Sequence, residues 1–460
     1  MGIVLKGGTI VTAVDCMPGD IRLVGEQIVA IGKDIEHPGD MVLPVEDCFL
    51  FPGGIDAHTH FDLPVGNTVT ADDFSSGTKA AIIGGTTTII DFATQDKGET
   101  LSQALEKWHD KAAGKCYTDY GFHMAITDWH DQVAREMDLL IQEKGVSSFK
   151  FYLAYKNTMQ VSDYCLFEAL QRSGKNGALV CVHCENGDIV QKLVEDALGH
   201  GMTQPFYHPL TRPAQAESEA TNRAITLAEI AGAPLYIVHL TCRDALQAVL
   251  AAKARGIKVY AETCPQYLLL DDSCYQENDF NSAKYVMSPP LRKKEDQEAL
   301  WHGLQSGLID TVATDHCSFN FKGQKELGLS DFSKVPNGIP GVEHRLGLLY
   351  AFGVVTGRIS LNRFVDLTST RPAQLFGLFP KKGTIAVGSD ADIVVWEPGV
   401  SSVITARTQH QQVDYTPYEG FHLTGTPKHV FLRGRQVVCE GTLMDGNPEG
   451  VFLYRKPLGK

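Results

Sequence analysis

His58 and His60 stand one residue apart in "GGIDAHTHFD" (53–62), just past the apolar run "CFLFPGGI". Side chains alternate along a strand, so positions i and i+2 face the same side. Two neutral imidazoles on one side can grip one cation. In a chain with 16 histidines such a pair is weak evidence by itself, and its weight depends on partners. His183 in "LVCVHCENGD" and His239 in "LYIVHLTCRD" share a pattern: an apolar run, a histidine, then polar residues within a turn. Either one alone is equally well explained as a core histidine bonded to a backbone carbonyl. Asp315 in "DTVATDHCSFN" follows a short apolar run. A buried carboxylate must be paired, hydrogen-bonded or metal-bound; a helix N-cap or loop acid is the plain alternative. His316 would point the other way along a continuing strand and is left out.

Lys150 is the odd residue. It lies between Phe149 and Phe151 in "SSFKFYLAY", where an exposed charge does not belong. An ammonium cannot ligate a cation. Desolvation lowers a lysine pKa, however, and a neutral amine can add carbon dioxide to give a carbamate with two anionic oxygens. From this strand alone a snorkelling or salt-bridged lysine is the simpler reading. Charge then bears on the number of ions. Four histidines and one aspartate suit a single catalytic zinc poorly, because such sites use three protein ligands and an open position. Two cations about 3.5–4 Å apart repel unless anions lie between them. A carbamate and a hydroxide would supply those anions. The six residues are thus consistent with a binuclear site, with zinc the favoured metal.

Such a site needs elements that bring distant positions together. Residues of about 51–375 alternate eight apolar runs ("FPGGIDAHTH", "TTTIIDFA", "YGFHMAI", "SSFKFYLA", "ALVCVHCE", "PLYIVHLT", "KVYAETC", "DTVATDHC") with amphipathic stretches such as "QVAREMDLLIQEKG", "ALQAVLAAKARG" and "KEDQEALWHGLQSG". Each of these three stretches ends at Gly, as helices often do. Near-continuous apolar strands are buried on both faces, which fits a parallel sheet, and eight strand–helix units predict an α/β fold, a (β/α)8 TIM-like barrel. His58, Asp91, His123, Lys150, His183, His239, Glu262 and Asp315 sit near the ends of the runs, and the C-terminal ends of barrel strands converge on one face. Short strands at 1–50 and again at 376–460 predict a smaller β-sandwich domain built from both chain ends.

Composition narrows the function. The net charge of −14 argues against nucleic acid or an anionic membrane as a partner, since both reward a basic patch. No window of about 20 apolar residues predicts a membrane span, and the start "MGIVLKGGTIVTAVD" carries no secretory signal pattern. Eleven scattered cysteines without CxxC pairs predict reduced core thiols and a cytoplasmic location.

Together, "GGIDAHTHFD", "FKFYLAYKN", "CVHCENGD", "IVHLTC", "VMSPPLR", "ATDHCSF" and "PNGIPGVE" resemble the amidohydrolase superfamily, and within it the dihydropyrimidinase/D-hydantoinase family of cyclic amidases. The resemblance covers nearly the whole chain. It implies that His58, His60, carboxylated Lys150 (N6-carboxylysine) and Asp315 hold the more buried of two divalent ions, and that Lys150, His183 and His239 hold the second. It implies that Tyr155 donates its phenol to the developing oxyanion. Ser288 and Asn337, the latter through backbone atoms, would bind the amide and imide groups of the ring. The loop "FDLPVGNTVTADDF" resembles a substrate gate, in which Leu63 and Val65, with Tyr152, would shape the pocket for the group outside the ring. A homotetramer is also implied.

The implied reaction is opening of a dihydropyrimidine or 5-substituted hydantoin to an N-carbamoyl amino acid. A metal-activated hydroxide would attack the carbonyl. Asp315 would take its proton and pass it to the leaving nitrogen. Relatives that cleave dihydroorotate carry Arg two residues after the second histidine; here Asp62 stands there and would repel an anionic substrate. An allantoinase-like hydrolase of another cyclic ureide is set aside less firmly. A non-catalytic scaffold is the competing class. Non-enzymatic relatives have lost metal ligands, whereas all six are present here.

Overall fold

The computed structural model describes residues 2–276, 280–444 and 446–459. Eight strands form the barrel: β1 (Gly54–Thr59), β2 (Thr86–Thr94), β3 (Asp119–Ala125), β4 (Ser148–Tyr152), β5 (Leu179–His183), β6 (Leu235–Ile237), β7 (Val259–Thr263) and β8 (Thr311–Val312). They pair in parallel in chain order. Every residue of β1, β3, β4 and β5 is buried, which is why those runs read as unbroken apolar stretches rather than alternating ones. The three helices expected to stop at glycine do so. Asp131–Glu143, Arg243–Ala254 and Lys294–Ser306 are followed by Gly145, Gly256 and Gly307, all at positive φ.

The ring closes between β1 and β8 through few backbone contacts. Beyond β8, His316 forms a single parallel bridge with Thr59, and His60 N donates to His316 O at 2.8 Å. Side chains complete the seam. Asp56, fully buried, accepts from Thr314 N at 3.1 Å and Thr314 Oγ1 at 2.7 Å. The Arg345 guanidinium lies 3.6 Å from the same carboxylate. Asp56 therefore fastens the last strand to the first.

Both chain ends build a second sheet, as expected. Among the described residues its nine strands form a hydrogen-bonded path of eight, with Met41–Pro44 paired in parallel to Ile3–Val11 off that path. Phe49–Pro52 lies at the junction: it pairs in parallel with Ile3–Val11 and antiparallel with Ile393–Val403. Alternation along Ile393–Val403 divides its side chains. Ile393 and Val395 join Leu5, Ile21, Leu50 and Phe431 in a small core, while Val394 and Trp396 face the main core. Gly53 links this sheet to β1, and a Cβ there would collide with Thr87 Oγ1, so no larger residue fits. The C-terminal tail returns to the barrel end opposite the strand C-termini. Phe452 bridges Tyr120, and buried Arg455 donates to Phe122 O.

Candidate metal centre

At the end of β1, His58 and His60 turn their Nε2 atoms toward Asp315. Each Nε2 lies 3.1 Å from Asp315 Oδ1, and the three residues form a group able to hold an ion. His58 Nδ1 is 2.6 Å from Glu262 Oε1, at the C-terminal end of β7. Burial disfavours charge on His58, but Asp315 and Glu262 outweigh it and raise its pKa to about 9. A proton between two carboxylates occupies the place that suits a cation. Burial pulls His60 down to about 4, which leaves a neutral imidazole. Burial opposes charge on Asp315 too, yet the two imidazoles beside it hold its carboxyl well below the usual range. His60 Nδ1 is buried without a hydrogen-bond partner among the described residues, and both Nε2 atoms face the single oxygen Asp315 Oδ1. Two imidazole nitrogens converging on one buried carboxylate oxygen suit a divalent ion.

The second histidine pair stands next to the first. The ring of His239 lies 5.5 Å from that of His58 and 4.7 Å from that of His183. His183 Nδ1 approaches His239 Nε2 at 2.9 Å. The far nitrogen of His183, Nε2, is 2.8 Å from Glu185 Oε2, which accepts Arg212 Nη1 at 2.6 Å. Burial would raise Glu185, but Arg212 and His183 pull it down to about 2. Burial lowers both His183 and His239, so each offers a lone pair.

Lys150 lies among these groups. It is 1% exposed, and its Nζ faces the rings of Phe92 at 4.9 Å and Tyr152 at 5.1 Å. Among the described residues it has no ion pair. Its charge acts on all four imidazoles. Burial lowers its pKa, with Asp315 opposing, which favours the neutral amine that carbamate formation requires.

These side chains border one cavity of about 820 Å³. His58, His60, Lys150, His183, His239 and Asp315 all line it, as do Tyr155, Ser288, Asn337, Leu63, Val65 and Tyr152. Burial pushes the Tyr155 phenol up, so it stays protonated and able to donate. Tyr155, His239 and Asp315 have φ values of 66°, 37° and 52°. This left-handed region is costly for residues with a side chain and is frequent at functional sites.

Asp91, His123 and Glu262 do not reach the cavity. Asp91 accepts from Thr59 Oγ1 at 2.8 Å and Phe61 N at 2.9 Å, and so braces the segment that carries His60. His123 is held by Ser148 Oγ at 2.6 Å and Ala57 O at 2.9 Å. Glu262 supports two histidines at once, through His58 Nδ1 and through His239 N at 3.0 Å. Sequence reasoning missed Glu185 altogether; its position two residues past His183 resembles that of any turn acid. Carboxylates behind ligating histidines fix their tautomer and raise their basicity. Glu262→Gln is therefore expected to weaken metal retention roughly 10–100-fold, read by competition with a chelator, with the fold kept.

The profile of the amidohydrolase family matches residues 49–437. The chain belongs to this family. Within it the chain is similar to a D-hydantoinase of Geobacillus stearothermophilus, 50% identical over 455 residues, covering 99% of this chain and 97% of the relative. It is also similar to a D-hydantoinase of Rhizobium radiobacter, 46% identical with 99% of each chain covered. The crystal structure of a dihydropyrimidinase from Brevibacillus agri superposes with a TM-score of 0.99 at 48% identity over all of both chains.

Proposed function

We propose that the chain is a metal-dependent cyclic amidase that opens 5-substituted hydantoins and dihydropyrimidines to N-carbamoyl amino acids. The observation that carries this reading is Lys150: a buried amine without an ion pair, set among four imidazoles and Asp315 at the floor of a large cavity. The names of the similar D-hydantoinases support the D series of hydantoins.

His58, His60, Asp315 and the Lys150 carbamate would hold one ion, and the carbamate, His183 and His239 the other. When bound, the two ions, zinc in this reading, supply an activated water as nucleophile and polarise the ring carbonyl. Tyr155 donates a hydrogen bond from its phenol to the carbonyl oxygen as charge develops there, and keeps its proton. A preorganised donor of this kind contributes roughly 3–4 kcal/mol. Asp315 takes up a proton at its carboxylate and delivers it to the leaving ring nitrogen. Ser288 and Asn337 hold the polar edges of the ring, and Leu63, Val65 and Tyr152 receive the substituent.

Purified protein incubated with D- and L-5-substituted hydantoins and with 5,6-dihydrouracil is expected to yield N-carbamoyl products. Activity should vanish on chelation and return with zinc. Two bound ions without turnover on any of these rings would overturn the reading.

A further inference from the structure

Lys325 takes no part in the site as described, yet it is one of the most buried charges in the molecule. It is fully buried at the start of the short turn Lys325–Gly328. Its Nζ donates to three backbone carbonyls: Val286 O at 2.8 Å, Pro336 O at 2.7 Å and Gly338 O at 2.7 Å. An ammonium has three donors, and all three are used. Among the described residues it has no ion pair, and the nearest ring is that of Phe319 at 5.7 Å. Burial pushes its pKa down to about 7. A methionine would fill such a space without the desolvation cost of a charge, so packing does not account for a lysine here.

The three carbonyls belong to the two segments that carry Ser288 and Asn337. Val286 lies two residues before Ser288, and Pro336 and Gly338 flank Asn337. The segments also meet directly, because Gly338 N donates to Val286 O at 3.1 Å. Asn337 Oδ1 is buried without a partner among the described residues, the Ser288 hydroxyl meets the Tyr155 phenol, and both residues border the cavity. The segment 336–339 also presses on the chain just past Asp315. Cys317 N donates to Ile339 O at 3.1 Å, and Gly338, at φ 139°, is so close to Cys317 O that no Cβ fits.

We propose that Lys325 is a positioning residue for substrate recognition: by gathering the carbonyls of Val286, Pro336 and Gly338 it sets the separation of the two segments that grip a cyclic ureide. There is an electronic side to this. The Pro336 carbonyl shares its peptide unit with Asn337 N–H. A charged hydrogen bond to that oxygen polarises the unit and strengthens the N–H as a donor to a ring carbonyl. The inference rests on the cyclic-amidase reading above.

The test uses the full, metal-loaded chain with Lys325→Gln and Lys325→Met. KM for hydantoin and 5,6-dihydrouracil is expected to rise roughly tenfold, the equivalent of one well-placed hydrogen bond. kcat should stay within about threefold and metal content should not change. A merely structural role predicts a different pattern, in which the folded fraction, metal content and apparent kcat fall together at constant KM. That pattern, or an unchanged KM in a folded variant, overturns the proposal. If Lys325→Met does not fold, Lys325→Gln decides. If neither accumulates as folded protein, the role is structural and the proposal falls. Turnover by the unaltered chain in the same assay tests the cyclic-amidase reading separately.

Discussion

Asp315→Asn is expected to lower turnover of hydantoin at least about a thousandfold while leaving the chain folded. The substitution keeps shape and volume but removes the base. Proton transfer by one positioned group contributes roughly 10²–10⁴ in rate, and the loss of charge beside His58 and His60 adds to this. The fold should survive because the seam between β1 and β8 depends on Asp56, Thr314 and the Thr59–His316 bridge rather than on the Asp315 carboxylate. Steady-state rates with circular dichroism and metal analysis decide the matter. Turnover within a few-fold of the parent would remove Asp315 from the mechanism.

The second large effect is expected at Lys150. Lys150→Ala should lose bound metal and with it nearly all activity, since two cations would face each other without the intervening anion. Short-chain carboxylic acids should restore part of both, because a carboxylate of the right size can take the place of the carbamate in the cavity left by the side chain. Arginine at this position should not respond to the acids, since it fills the space with a permanent charge. A Lys150→Ala protein that keeps two ions and full activity would show that the lysine does not bridge.

Much of this architecture was legible because burial leaves marks in the sequence. Strands covered on both faces read as apolar runs, and all eight barrel strands stand where those runs are. Residues at the ends of such runs pointed to a shared site only when taken together, and five of the eight, His58, Lys150, His183, His239 and Asp315, do border one cavity, with His60 beside them. Three others near strand ends, Asp91, His123 and Glu262, lie beneath the cavity instead. A run of residues shows that a strand exists but not how high each position sits along the barrel axis. β8 is shorter than its run, because the chain leaves the sheet after Val312 and reaches Asp315 in a left-handed conformation that no local pattern demands. Lys325 was invisible for a related reason. "FKGQKELG" reads as an exposed polar turn, and the carbonyls that bury its lysine come from segments 11 to 39 positions away. The pairing of Phe49–Pro52 with Ile393–Val403 spans most of the chain, beyond the reach of any local pattern.

The position of His58, His60 and Asp315 on either side of the β1–β8 junction gives the protein a built-in test of its own completeness. If these residues hold an ion and Asp315 is the base, the first and last staves of the barrel each bring part of the apparatus, and a half-assembled chain would have nowhere to seat that ion. In the cyclic-amidase reading, partly folded molecules would therefore be inert rather than indiscriminate. An ion seated there ties positions 58 and 315 together like a hoop and resists the separation with which unravelling of the ring would begin.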